Sequence, residues 1–351
     1  MDDKKLNDFL GKFLGDAAAS LNGLLVFVGD RLGLYRAMAE AGHPLAPDEL
    51  ASRAGTNPRM TKEWLSAQAA NGYLEYDPKS GKFSLPPEHA LVLADENSPV
   101  FLQGGIETSV SLYKDEEKII NAMKTGKGLG WGDHHPYFYE GEYRLTIPTY
   151  RHLLVQSWIP ALEGVEAKLS EGASVAEVGS GAGVALCVLA KGFPRSTFIG
   201  FDSNPPSVER ANSMAKKEGL GNVKFEVADA ASYPGGDYDL IAFFSCLHDM
   251  GDPQAALAHA FGSLRNKSGT LAVTEAPAGD AIEQNFNPIG QLLYPVSTLE
   301  CVPASLDQGG LGPGTLMGES RLEQLITSSG FSGFKRVAES PLFNLYEAKA
   351  L

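Results

Sequence analysis

From about residue 173 the chain alternates short apolar runs with longer amphipathic ones, and this rhythm restricts the fold more than any other feature. Runs at 174–178, 196–201, 223–227, 239–244 and 270–274 have the length and composition of strands. The stretches between them are long enough for helices. Such alternation predicts a doubly wound, Rossmann-like α/β fold, with a parallel sheet and helices on both faces. The last two runs, 334–338 and 345–349, flank a Pro-bearing turn and predict a closing antiparallel pair.

The first predicted strand ends in Glu177-Val178-Gly179-Ser180-Gly181-Ala182-Gly183. The glycines allow a tight turn and a close backbone approach to a ligand at the carboxyl edge of the sheet. A dinucleotide loop of the G-x-G-x-x-G kind places its third glycine where this chain has Val184. The acidic residue before the loop, Glu177, suits a ligand that carries an ammonium group and no phosphate. Asp202 ends the second strand, 23 residues after Gly179, where a carboxylate accepts hydrogen bonds from ribose hydroxyls. Asp229 follows the third strand, where it faces an adenine amino group. The competing reading is that Asp202 and Asp229 only cap the helices that follow them.

The fourth strand delivers Ser245-Cys246-Leu247-His248-Asp249-Met250-Gly251-Asp252-Pro253, with Asp252 and Pro253 set to start a helix. His248 therefore sits on a strand-end loop at the same rim as the glycines. Its ordinary pKa, about 6.5, suits it to act as a base near neutral pH. The plainer alternative is that His248 only ties the loop to its own backbone.

Loop, ribose acid, adenine acid and closing pair together resemble the class I S-adenosylmethionine-dependent methyltransferases over residues 165–351. That resemblance implies S-adenosylmethionine as cofactor and S-adenosylhomocysteine as product. It places cofactor contacts at Glu177, Gly179, Ser180, Gly181, Gly183, Asp202, Ser203, Asp229, Ala230, Phe244 and Ser245. Leu247-His248-Asp249 resembles the matching segment of plant-type small-molecule O-methyltransferases. In that family the histidine deprotonates a substrate hydroxyl with two glutamates assisting. Glu275 and Glu319 stand where the assistants are expected, the second at a longer interval. Met250 replaces the tryptophan that family carries after the His-Asp pair. Nearly the whole chain is similar to a group of two-domain bacterial methyltransferases. It shares with them Gly29-Asp30-Arg31-Leu32-Gly33-Leu34-Tyr35, the 247–253 loop and the tail Pro341-Leu342-Phe343-Asn344-Leu345-Tyr346-Glu347-Ala348. Transfer of the methyl group to nitrogen or carbon on the same scaffold is the alternative to O-methylation.

Upstream, a long amphipathic segment at 6–41 precedes a helix opened by Pro47 and stopped by Gly55, and another opened by Pro58. Two short strands follow around Asp77-Pro78-Lys79-Ser80-Gly81, completing a winged-helix pattern. The expected organisation is a winged-helix domain at 1–97, a helical connector at 98–168 that lines a substrate pocket, and the cofactor domain at 169–351. A winged helix invites a DNA-binding regulator as a rival function. Residues 1–100 hold ten Lys and Arg against fourteen Asp and Glu, and the whole chain carries −14. Phosphate neutralisation needs a basic face, so nucleic acid is not an expected partner. The apolar first segment, with Leu21, Leu24, Leu25, Val28, Leu32 and Leu34, fits a homodimer interface.

For the substrate side, Trp131, His134 and His135 lie in an aromatic stretch, and Tyr294, Thr298 and Cys301 lie in a segment, 287–308, that reads as loop-rich. These residues suit the wall of a pocket for a small aromatic or lipophilic molecule. Three scattered cysteines without paired spacing give no disulfide framework, and no metal site is expected. The N-terminus lacks a signal-peptide pattern, and its most apolar run, 24–28, is far shorter than a membrane span. The expectation is a cytoplasmic protein without a membrane partner.

Overall fold

A computed structural model describes residues 1–265 and 268–350. The chain divides into two compact units that it enters twice each: 1–114 with 135–148, and 115–134 with 149–351. The residues expected to form a connector are thus shared between the two units.

In the first unit, α1 (Asp3–Arg31) leads to α2 (Leu34–Ala41), α3 (Pro47–Ala54) and α4 (Pro58–Ala70). The long amphipathic segment is therefore two helices, because Gly33 adopts a left-handed conformation at the break. Gly55 stops α3 in the same way, and Asn57 caps α4 through the N–H groups of Arg59 and Met60. The hairpin β1 (Glu75–Asp77) and β2 (Lys82–Ser84) is antiparallel, and α5 (Pro87–Leu93) and α6 (Gln103–Lys114) follow. These elements bury Val26, Tyr35, Leu50, Trp64, Leu65 and Phe83 in one core. The motif beginning at Gly29 is explained here by packing and charge. Gly29 lies against the Trp64 ring, and Asp30 receives two hydrogen bonds from Arg144, at 2.6 and 3.1 Å. Arg144 also donates to the fully buried Glu107 at 2.9 Å, while Arg31 stacks over Tyr137.

Most of α1 is exposed. Leu6, Phe9, Leu10, Phe13, Leu14, Leu21 and Leu24 face solvent within this unit. The helix is 29 residues long, and an 18-residue window reaches mean hydropathy 1.2, enough by length and composition for a membrane span. The sequence argument weighed only the five-residue run and missed this.

The second unit begins with α7 (Glu116–Thr125). After α8 (Tyr137–Thr149), whose residues to Pro148 belong to the first unit, it continues through a π-helical stretch at Tyr150–Trp158 to α9 (Ile159–Ala161) and α10 (Val165–Glu171). Then come β3 (Ser174–Val178), α11 (Val184–Gly192), β4 (Thr197–Asp202), α12 (Pro205–Lys217), β5 (Val223–Val227), β6 (Leu240–Phe244), α13 (Pro253–Ser263) and β7 (Thr270–Glu275). The order across the sheet is β5-β4-β3-β6-β7, all parallel, continued by β9 (Asn344–Lys349) and β8 (Ser332–Glu339). β9 runs antiparallel to both neighbours, which is the predicted closing pair. Every residue of β6 and β7 is buried, as strands covered on both faces require. Strand order reverses between β3 and β6, and such a switch point opens a ligand crevice at the carboxyl ends.

The segment expected to be loop-rich is instead helical: α14 (Pro288–Val296), a π-helical turn at Ser297–Cys301 and α15 (Val302–Asp307). Its prolines misled the reading. Pro288 and Pro303 sit in the first turn of their helices, where a missing N–H costs nothing. The last helix, α16 (Glu319–Ser328), is anchored at its start by Asp280, which accepts from the Ser320 N–H at 2.9 Å.

Candidate active site

The glycine loop connects β3 to α11 with Gly179, Gly181 and Gly183 all at positive φ. A side chain at Gly183 would meet the Phe225 ring at 2.5 Å, and one at Gly179 would meet the Cys246 sulfur at 2.8 Å. The second contact places the glycine loop directly against the loop that carries His248. Glu177 is buried, and one carboxylate oxygen accepts the N–H of Leu186 in the first turn of α11. Its Oε2 and the hydroxyl of Ser180 are buried without a hydrogen-bond partner. Burial, and then the neighbouring Asp202 charge, push the Glu177 carboxyl well above the usual range.

Asp202 closes the loop from the adjacent strand. Its two oxygens accept the N–H groups of Gly181 at 2.8 Å and Asn204 at 2.9 Å. The helix cap that follows is Asn204, not Asp202, so simple capping does not account for the aspartate. A carboxylate has about four acceptor sites, which leaves Asp202 capacity for hydroxyl donors. Asp229 is exposed just past β5 and accepts the Ala231 N–H at 2.8 Å, a local turn bond. Ser203 is exposed and Ala230 half-buried at the same edge. Ser245 holds φ 53°, a conformation unusual for a serine, and its N–H is fixed to Thr274. Phe244, the last residue of β6, packs its ring 6.0 Å from the Trp158 and Tyr150 rings, inside the core, because its strand is covered on both faces.

His248 is buried on a short turn after β6. Its Nδ1 lies 2.5 Å from Glu275 Oε2, at the end of the neighbouring strand β7. Its Nε2 lies 3.5 Å from Asp249 Oδ1. Burial opposes charging the imidazole, but the Asp249 and Glu275 carboxylates overcome it and hold the group well above its usual pKa. Cys301 is buried within hydrogen-bonding reach of His248, and burial raises its thiol to about 12. The loop is fixed from behind by residues whose part the sequence did not reveal. Ser305 donates to Met250 O at 2.8 Å, and Gln308 donates to Asp249 O at 2.9 Å while accepting from the Gly251 N–H at 3.3 Å. Both stand on or beside α15, more than fifty positions away, and no spacing rule links them to His248.

Glu319 does not join this group. It receives a hydrogen bond from Tyr346 at 3.3 Å and pairs with Arg336 at 3.4 Å, on the closing strands. Thr298 is exposed, and its hydroxyl bonds back to Tyr294 O on its own helix. The adjacent histidines diverge. His134, in the second unit, is buried with Nδ1 3.2 Å from Asp115, whose other oxygen takes Lys118. His135, in the first unit, accepts the Tyr137 N–H and packs edge-on against that ring. Trp131 is half-buried in a 3₁₀ turn of the second unit, and Tyr294 is half-buried on α14. Of the six residues proposed for the substrate wall, Cys301 is the one the structure brings beside His248.

Two family models match the chain: a methyltransferase domain over residues 169–302 and an Rv2258c-like winged HTH domain over residues 19–95. A curated relative, human EEF1A lysine methyltransferase 2, is 42% identical over 62 residues, which is 18% of this chain and 26% of that protein's length. Solved structures match at full length. Mitomycin 7-O-methyltransferase aligns over 99% of both chains at 17% identity, with a TM-score of 0.70. Human N-acetylserotonin methyltransferase, solved in complex with SAM, covers 99% of this chain and 97% of its own at 18% identity and TM-score 0.67. An O-methyltransferase family protein from Burkholderia thailandensis covers 97% of each at 15% identity and TM-score 0.69. Identities this low define the fold. By domain content, the chain carries a methyltransferase domain behind an Rv2258c-like winged-helix domain, and its fold is that of the two-domain, S-adenosylmethionine-dependent methyltransferases it is similar to. The residues at the glycine loop fit that cofactor: an unpaired buried carboxylate oxygen and an unpaired hydroxyl await donors beside a glycine cradle.

Proposed function

We propose that this protein methylates a hydroxyl oxygen of a small, aromatic or lipophilic molecule, with His248 as general base. One observation carries the reading: His248, buried on the loop that touches the glycine cradle, pairs with Glu275 at the end of β7. The cofactor, when bound, supplies an electrophilic methyl on a sulfonium. The chain's own residues hold and align. Glu177 and Ser180 offer acceptors to an ammonium group, Asp202 to ribose hydroxyls and Asp229 to an adenine amino group. In its neutral form His248 takes the hydroxyl proton on Nε2, so turnover should rise with pH through its raised pKa, and Glu275 at Nδ1 fixes the ring and stabilises the imidazolium that forms. Alignment of this kind is worth about 7–11 kcal/mol of barrier. The direct test is incubation with methyl-labelled cofactor and a panel of phenols, with mass spectrometry locating the label. Labelled ethers are expected; label only on nitrogen or carbon acceptors would overturn the oxygen assignment.

Cofactor binding should depend on pH in a definite direction. Glu177 must be ionised to receive an ammonium, and its folded-state pKa is raised by burial and by Asp202. Affinity for S-adenosylhomocysteine should therefore fall as pH is lowered, beginning above the usual carboxylate value of about 4.3. Calorimetry in two buffers of different ionisation heat should register proton release on binding near that pH. Pure heat of binding with no proton exchange would count against Glu177.

The protein acts as a homodimer in the cytoplasm. The exposed apolar stripe on α1 supports the dimer, since a partner helix would bury it at about 25 cal/mol per Å². Lys12 and Asp16 pair on the same helix, making the stripe one-sided, as partner helices prefer. Sedimentation of the full chain should give twice the monomer mass. Monomers that float with lipid vesicles would assign the stripe to a membrane instead. Three free cysteines accord with a reducing compartment.

A further inference from the structure

We infer that His248, Asp249 and Cys301 form a binding site for a thiophilic divalent cation, Zn²⁺ foremost, and that its occupancy blocks methyl transfer. The site itself goes beyond the proposed activity, whereas the block of methyl transfer rests on that reading of His248. Ligand atoms from the three residues lie within 4.8 Å of one another, and all three residues are buried. Bonds of about 2.0–2.3 Å to nitrogen, oxygen and sulfur place ligands about 3.3–3.8 Å apart, so a small closure completes a tetrahedral face. The residues come from separate elements. His248 and Asp249 lie on the turn after β6, and Cys301 ends the π-helical turn before α15.

Two observations point to a cation and not merely to a packed polar cluster. Asp249 Oδ1 is buried without a hydrogen bond of good geometry, facing only the other two ligand groups, His248 Nε2 at 3.5 Å and the Cys301 thiol. The outer ligand positions are also already supported. Glu275 holds His248 through Nδ1, leaving Nε2 to the metal, which is the carboxylate–histidine–metal arrangement. Thr315 Oγ1 lies 2.8 Å from the Cys301 sulfur. A set of imidazole, carboxylate and thiolate selects Zn²⁺ or Co²⁺ over Mg²⁺ and Ca²⁺, which prefer all-oxygen ligands. Coordination releases the thiol proton, and any proton on His248 Nε2, to solvent. A metal on Nε2 removes the atom that would take the substrate proton, and its fourth position stays open to water.

Calorimetry of the full-length, chelator-stripped protein with ZnCl₂ should give one equivalent bound, and MgCl₂ or CaCl₂ no heat. CoCl₂ should produce a thiolate-to-cobalt charge-transfer band. Cys301→Ser should abolish the band. Thr315→Val, which leaves all three ligands in place, should weaken Zn²⁺ binding by about 10–100-fold. Circular dichroism establishes that each variant is folded. No binding to the native chain, or an undiminished band in folded Cys301→Ser, overturns the site, the latter assigning the metal to another cysteine. These readouts need no turnover, so an absence of methyl transfer and an absence of metal binding remain separate results.

Discussion

Replacing His248 by alanine should lower kcat by about two to four orders of magnitude while leaving S-adenosylhomocysteine affinity nearly unchanged. The split follows from where the residue stands. His248 belongs to the turn after β6, and its hydrogen bond goes to Glu275, whereas the cradle's own donors and acceptors lie at Glu177–Gly183 and Asp202. Loss of a positioned base removes roughly 3–5 kcal/mol of transition-state stabilisation, but alignment by the remaining pocket persists. Glu275→Gln should fall between the native enzyme and the alanine variant. It keeps a group near Nδ1 and loses the charge that favours the imidazolium. Steady-state kinetics with calorimetry on the same preparations checks both halves. Native turnover in His248→Ala would remove the histidine from the chemistry and favour transfer to an acceptor that needs no base.

The largest effect on stability is expected from Arg144→Ala in the first unit. Arg144 holds Asp30 through two hydrogen bonds and Glu107 through a third, and Glu107 is fully buried. Removing the cation leaves a carboxylate in the interior facing the half-exposed Arg31 at 3.5 Å. Breaking one side of a buried pair costs about 3–5 kcal/mol, a large part of a typical domain's 5–15. Arg144→Lys should recover only part of this, because an ammonium does not reproduce the two-pronged bond to Asp30. Urea unfolding followed through Trp64, which packs in the same unit, measures the change. A loss below about 1 kcal/mol would mean that Arg31 and water compensate.

The sheet domain was legible because its signals are local. Buried parallel strands read as continuous apolar runs, and loop glycines read as glycines whatever surrounds them. The α3–α4 pair was legible for a similar reason: Pro47, Gly55 and Pro58 punctuate the helices directly. Distance defeated the reading elsewhere. Glu319 resembled an assistant to His248 by order along the chain, yet Asp280 fixes the start of its helix and Tyr346 and Arg336 take its carboxylate. His134 and His135 are neighbours whose side chains enter different units, which no motif anticipates. Cys301 reads from the sequence as pocket wall; only three-dimensional packing sets it beside His248.

The doubled passage of the chain through its two units has a consequence for synthesis. Glu107 precedes Arg144 by 37 residues, and the segment between them includes 115–134, which belongs to the other unit. A nascent winged-helix region released from the ribosome at residue 114 therefore carries a carboxylate destined for its interior with the main counter-charge still untranslated. The amino-terminal region should mature late, after its second visit, and fragments cut at an apparent domain border should be poor folders.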